Sequence, residues 1–125
     1  EGGILLLAQM SSRGNLLSQD YSDEVVRIGK EQDGVFGFIG NGSEATNIAA
    51  LRQRLGDEKM IWTPGINLQV GDGELGQRYG NPRDAVLAGA DGIIVGSGIH
   101  GMDDPCHAAR AYADASWQAL LERNE

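Results

Sequence analysis

Apolar runs of strand length recur four times along the chain, at residues 4–10 (ILLLAQM), 35–39 (VFGFI), 60–63 (MIWT) and 92–95 (GIIV). Each is followed by a polar stretch and then by apolar residues at helical spacing. This alternation predicts successive βαβ units and a parallel sheet, an α/β fold. A first helix is expected over 21–32, with Val25, Val26, Ile28 and Gly29 on its apolar face. Ser43 is the expected N-cap of a second helix reaching to about residue 55, with Ile48, Ala49, Leu51 and Leu55 buried and Gly56 as its stop. Asn81 followed by Pro82 predicts a short capped helix over 82–88 that ends at Gly89. Asp104 and Pro105 open a final helix whose Ala108, Ala111, Tyr112, Ala115, Ala119 and Leu120 form a stripe of 3.6-residue period.

Between the third and fourth strands lies a long glycine-containing polar loop, at about 64–80, ending at the Asn81 cap. A loop of this length in a compact domain is usually functional, and its Gly, Gln and Tyr residues suit a mobile lid at the end of a (β/α) barrel. No linker or change of composition divides the 125 residues, so a single domain is expected. A complete eight-stranded barrel needs about 250 residues, and four βα units are half of one. Such a half has two open strand edges and an uncovered apolar inner face, so it is expected to pair with the missing N-terminal half or with a second copy of itself, as an oligomer.

Eighteen acidic against ten basic residues leave a net charge of −8. That balance argues against nucleic acid or an anionic membrane as partner, and makes any phosphate site depend on local donors. Cys106 is the single cysteine, which excludes an internal disulfide and suits a reducing cytoplasm; a structural role is expected for it. The longest apolar stretch, at 4–8, is too short to span a bilayer and no basic leader precedes it. His100 and His107 stand seven residues apart without an acidic cluster at metal-binding spacing, and Asp103 and Asp104 read as caps of the last helix. Asp72 and Glu74 read as solvated loop carboxylates, and Trp62 and Trp117 as core or subunit packing.

Three motifs, TPG at 63–65, LGQRY at 75–79 and IIVGSG at 93–98, together resemble the orotidine 5'-phosphate decarboxylase family. The likeness extends to LLLAQMSSRGNL at 5–16 and GFIG at 37–40, similar to the family's fifth and sixth strands, and to AYADASWQALLERN at 111–124, similar to its last helix. The resemblance implies the C-terminal half of a (β/α)8 barrel. The family's D-x-K-x-x-D motif does not occur, since Lys30 and Lys59 are the only lysines and neither has that spacing. Alone, then, the chain is expected not to decarboxylate.

By resemblance, Ser11 hydrogen-bonds the pyrimidine ring, Pro64 packs near the base, Gln77 and Tyr79 reach the phosphate from the lid, and Gly96 and Ser97 cradle it. Taken singly, Ser11 reads equally well as a loop cap, Pro64 as a turn proline, and Gln77 and Tyr79 as solvated loop residues. The implied ligand is orotidine 5'-phosphate or UMP, with no metal or organic cofactor. Two positions depart from the family pattern. Ser97 stands where V-G-R-G would place an arginine, so a charged bidentate contact is lost unless Arg78 or Arg13 replaces it. Gln9 stands where the family commonly has an acid, which suggests altered core polarity. The alternatives are a noncatalytic, engineered or diverged phosphate-binding half-barrel, or another barrel enzyme acting on a phosphorylated substrate.

Overall fold

Short β-rich apolar runs and capped helical segments alternate in space as they do in sequence. The computed structural model describes residues 2–69, 71–73 and 76–125. The elements are β1 (Ile4–Leu7), α1 (Gln19–Glu31), β2 (Val35–Ile39), α2 (Ala45–Leu55), β3 (Met60–Thr63), β4 (Gly71–Asp72), β5 (Arg78–Tyr79), α3 (Pro82–Leu87), β6 (Gly92–Ile93), α4 (Ser97–His100) and α5 (Pro105–Arg123). Strands β1, β2, β3 and β6 form a parallel sheet in that order, leaving β1 and β6 as its edges among the described residues. Strands β4 and β5 form a separate antiparallel ribbon inside the long loop.

Three helix starts follow their local chemistry. The Ser18 hydroxyl accepts from the Tyr21 amide (3.1 Å), the Asn81 side chain from the Asp84 amide (2.8 Å) and the Asp104 carboxylate from the His107 amide (3.0 Å). Pro82 and Pro105 follow the latter two caps, where a missing N–H costs nothing. Gly56 ends α2, as its composition predicts, its N–H bonded to the Arg52 carbonyl. Ser43 is not the cap of α2. Glu44 takes that position, while the Ser43 hydroxyl and amide both donate to the Asn41 side chain in a local turn.

One face of the sheet packs on the helices. Val26, Phe38, Leu51, Leu55 and Ile61 form one buried cluster, and Ile48, Ile66, Ala85, Ala90 and Tyr112 a second. Gly29 lets α1 lie directly on Phe38, since a Cβ there would fall 2.3 Å from the ring. Ile28 and Ala49 are exposed, contrary to the helical pattern: each helix buries only a narrow stripe, and both residues lie beside it. In α5, Ala108, Tyr112 and Ala119 are buried and the rest of the stripe is half-buried.

The opposite face carries the row Leu5, Gly37 and Met60 and the row Leu7, Ile39, Trp62 and Gly92, matched by the strand register. Leu7, Met60 and Ile94 remain exposed, as expected for the inner wall of a barrel whose other half is not in the chain. Trp62 is half-buried over Gly92, whereas Trp117 on α5 is 58% exposed, so core packing is not its role in this chain.

Pairing ends sooner than the apolar runs. The Ala8 and Gln9 amides both donate to the Ile39 carbonyl, so β1 stops at Leu7 and the chain turns out of the sheet. Likewise β6 spans only Gly92–Ile93, although the Ile94 amide still donates to the Thr63 carbonyl (2.9 Å). At the other end of the sheet, Arg52 donates to the carbonyls of Gly56, Lys59 and Gly89 and pairs with Asp91. Asp91 in turn accepts from the Ile61 amide (2.8 Å), joining α2, β3 and the entry to β6. Among the described residues no helix is long and apolar enough to cross a membrane.

Candidate functional site

Parallel strands of an α/β sheet present their C-terminal ends together, and loops from β1, β3 and β6 meet the long loop there. Between them is a cleft of about 350 Å³, within the usual range for a small-molecule site. Ser11, Pro64, Gln77, Tyr79, Gly96 and Ser97 all line it, with Leu7 and Ile94 supplying apolar wall. Residues up to 90 positions apart in sequence, Leu7 and Ser97, thus share one cavity.

The long loop is held down at its root. The Gly80 amide donates to the Gly65 carbonyl and the Asn67 amide to the Gly80 carbonyl, both at 2.9 Å. The Leu68 amide donates to the Tyr112 hydroxyl (3.0 Å), which anchors the loop to α5. Farther out, β4 and β5 pair, so that the described part of the long loop there is a short antiparallel ribbon. Glu74, and with it the Asp72–Glu74 pair, and Leu75 of the LGQRY motif lie outside the described residues.

From this ribbon the side chains reach across the cleft mouth. The Gln77 amide nitrogen donates to the Ser11 hydroxyl at 2.5 Å and to the Arg78 carbonyl at 3.0 Å. The Tyr79 and Ser97 hydroxyls lie 3.4 Å apart. Gly65 makes the first contact possible: its φ is +78° and an added Cβ would stand 2.7 Å from both Cβ and Oγ of Ser11. Pro64 directs the chain over the end of β3, its carbonyl accepting from the Gly42 amide (3.0 Å). Gly96 and Ser97 stand where β6 passes into the single turn of α4, in which the Ile99 and His100 amides donate to the Gly96 carbonyl and the Ser97 and Gly98 amides precede the first helical bonds.

Among the described residues lining the cleft there is no Lys or Arg. Its donors are hydroxyls, the side-chain amides of Gln9 and Gln77 and backbone N–H groups, so an anion here would be held by neutral hydrogen bonds. Arg78 does not line the cleft and instead pairs with Glu44 at 2.7 Å. Arg13 also lies outside the lining, while its backbone amide ties the first loop to the lid through the Gly76 carbonyl (2.9 Å).

Gln9 has a larger part than core polarity suggests. It lines the cleft, its side-chain oxygen accepts from the Asn41 amide (2.9 Å), and its nitrogen donates to the Asn47 carbonyl (3.3 Å). A carboxylate could reproduce only the first bond. A polar residue within an otherwise apolar run was the available signal. The short helix α4 had none, because GSGIH is too brief for a periodic pattern.

Other candidates fall elsewhere. Cys106 is a free thiol exposed at the start of α5, and neither it nor His107 lines the cleft. No group of His, Cys, Asp and Glu among the described residues is arranged to hold a metal.

A family model described as orotidine 5'-phosphate decarboxylase / HUMPS family matches residues 1–112. Similar proteins include orotidine 5'-phosphate decarboxylase of Rhizopus oryzae, 41% identical over 125 residues that cover 97% of this chain and 44% of the relative. That of Penicillium nalgiovense is 36% identical over 124 residues, 98% of this chain and 45% of the relative. Among solved structures, orotidine 5'-phosphate decarboxylase from Pyrococcus horikoshii OT3 is 33% identical with a TM-score of 0.75, matching 93% of this chain and 51% of its own. The Sulfolobus solfataricus enzyme is 28% identical with a TM-score of 0.69, over 94% of this chain and 50% of its own. The chain spans about half the length of the relatives it matches.

Proposed function

Because the chain belongs to the orotidine 5'-phosphate decarboxylase family, we propose that it is the nucleotide-holding C-terminal half of such an enzyme. In this reading it binds the pyrimidine and the phosphate of orotidine 5'-phosphate. The other half-barrel supplies the lysine and aspartates that stabilise the developing carbanion as CO2 leaves. The observation that carries the reading is the convergence of Ser11, Pro64, Gln77, Tyr79, Gly96 and Ser97 on one cleft from three strand ends and the lid.

The roles follow from the groups. The Ser11 hydroxyl can donate to or accept from an imide edge, and Pro64 gives a flat apolar surface beside the ring. Tyr79, the Gly96–Ser97 backbone and the Ser97 hydroxyl offer donors to a phosphate. Gln77 bridges from the lid to Ser11, so closure of the lid over the phosphate is felt at the pyrimidine end. Binding energy from the phosphate can in this way be used at the distant ring. No metal or organic cofactor is required, and a single cysteine with no disulfide suits a cytoplasmic enzyme.

The open edges of β1 and β6 and the exposed inner wall support closure of the barrel by the missing half or by a second copy of this chain. A second reading is favoured by one specific observation, the cation-free lining with Ser97 in the arginine position. It is a diverged half-barrel with weak phosphate affinity and no turnover.

The test is decarboxylation of orotidine 5'-phosphate, followed by ultraviolet absorbance, for this chain alone and after mixing with a polypeptide carrying the other four βα units. Activity only in the mixture is expected. Silence in both, with folded protein and with Ser97 changed to arginine, would overturn the enzyme reading in favour of the diverged half-barrel.

A further inference from the structure

We propose that Glu44 and Arg78 form a latch that positions the lid, so that Gln77 and Tyr79 grip a ligand's phosphate only as firmly as this pair holds. The inference deepens the reading above and rests on it for the ligand, a nucleoside monophosphate. Gln77, Arg78 and Tyr79 are consecutive, yet each reaches a different loop: the first goes to Ser11 after β1, the second to Glu44 after β2, the third to Ser97 after β6. Side chains alternate sides along an extended segment, so two neighbours that face the cleft force the residue between them outward. Arg78 is that residue, and Glu44 is what it meets.

Glu44 is an unusual occupant of its position. It is the N-cap residue of α2 but makes no side-chain cap hydrogen bond. One carboxylate oxygen pairs with Arg78 and the other accepts from the Asn47 side chain at 3.1 Å, which fixes its rotamer. A negative charge at a helix N-terminus is itself favourable, so the carboxylate is retained there even when the lid opens. On the lid side, Arg78 Nε is buried without a hydrogen-bond partner, so the guanidinium is held through the Glu44 carboxylate and not through Nε. The backbone beside it is tightly constrained: Gly80 lies against Gly42, where a Cβ would fall 2.4 Å from the Gly42 carbonyl oxygen. Holding Arg78 therefore sets the direction in which Gln77 and Tyr79 leave the ribbon.

The pair is partly exposed, at 35% and 39% of its side-chain surface, so its effect is modest. Loss of a pair of this kind corresponds to about a two- to fivefold weakening of whatever depends on it. The experiment uses the protein at its full natural length, with Glu44→Gln, Arg78→Gln, the double variant and Arg78→Lys. Calorimetric titration with UMP and with uridine reads the phosphate-dependent grip, and amide hydrogen exchange over residues 76–80 reads the lid in the ligand-free protein.

Each single Gln variant is expected to weaken UMP about two- to fivefold, leave uridine unchanged and speed exchange at 76–80. The double variant is expected to be no worse than either single, because the two residues act as one unit. Arg78→Lys should bind as wild type, since one nitrogen makes the contact. Unchanged exchange at 76–80, additive losses, or uridine binding that falls in step with UMP would each overturn the latch. Should the unaltered protein bind neither UMP nor uridine, the nucleotide reading fails, and the exchange data still decide whether the latch exists.

Discussion

Gly65→Ala is the perturbation that most directly tests how the cleft is built. Two costs are superposed at this position. The backbone has φ +78°, a conformation that costs an L-residue about 1–2 kcal/mol. The new methyl would also stand 2.7 Å from Ser11 Cβ and Oγ and 3.3 Å from the Arg78 carbonyl oxygen, where none of the three neighbours is the free end of a long side chain. Forcing a methyl into such a site costs about 1–3 kcal/mol more. Gly14 separates the terms: its φ is +70°, but nothing lies within 4 Å of an added Cβ. Gly14→Ala should therefore lose only the backbone contribution, about 1–2 kcal/mol, and Gly65→Ala about 2–5 kcal/mol.

Urea unfolding of the two variants measures the difference, and UMP titration adds a functional reading. Displacing Ser11 breaks its 2.5 Å contact with Gln77, so Gly65→Ala should also lose UMP affinity while Gly14→Ala keeps it. Equal destabilisation by the two substitutions would refute the close approach of Gly65 to Ser11. Unchanged UMP affinity in Gly65→Ala would refute the part of Ser11 in binding.

Restoring a cation with Ser97→Arg should tighten UMP about tenfold or more while leaving uridine unchanged, because a charge-assisted contact to phosphate gains about 1.4 kcal/mol or more; competitive titration decides it. Arg52→Ala should destabilise the fold by about 2–4 kcal/mol, since it removes bonds to three carbonyls and the nearer cation of the partly buried Asp91 carboxylate, which keeps only the Ile61 amide and the more distant Arg123 at 3.8 Å. Urea unfolding reads that loss, and an effect below 1 kcal/mol on this scale would show the clasp to be incidental. The hydrogen bond from Arg27 holds the Glu24 carboxyl below its ordinary value of 4.5. A lowered folded-state value contributes stability above the ordinary value that is lost as pH falls through the folded one, so Glu24→Gln should flatten the acid limb of the stability profile. An unchanged acid limb would show the pair to be inert.

Much of the architecture was legible without coordinates because it rests on local rules. The Asn81–Pro82 and Asp104–Pro105 pairs cap their helices through bonds three residues away, and Gly56 ends α2 by its own geometry. The four apolar runs require burial on strand-length segments whatever their neighbours. All six candidate site residues line one cleft because each was placed at a strand end or in the lid by its motif. Where expectation failed, the deciding neighbour was remote or the signal too short. Whether Ile28 and Ala49 are covered depends on which stripe of each helix meets the sheet, and β1 ended early because both following amides turned to Ile39. Ser43 lost its cap to a competing local partner, Asn41.

By itself the sequence determined the order of the four main strands and the helices between them, the caps at Asn81 and Asp104, and six residues of the cleft, since periodicity, proline and glycine act over a few residues. Only the tertiary structure decided the partners: Gln77 with Ser11 across 66 residues, Arg78 with Glu44 and not with the cleft, Arg52 with Asp91 across 39. Those pairings depend on strand order and register, and a contact between side chains that distance in sequence cannot predict is set only when the sheet brings their strand ends together.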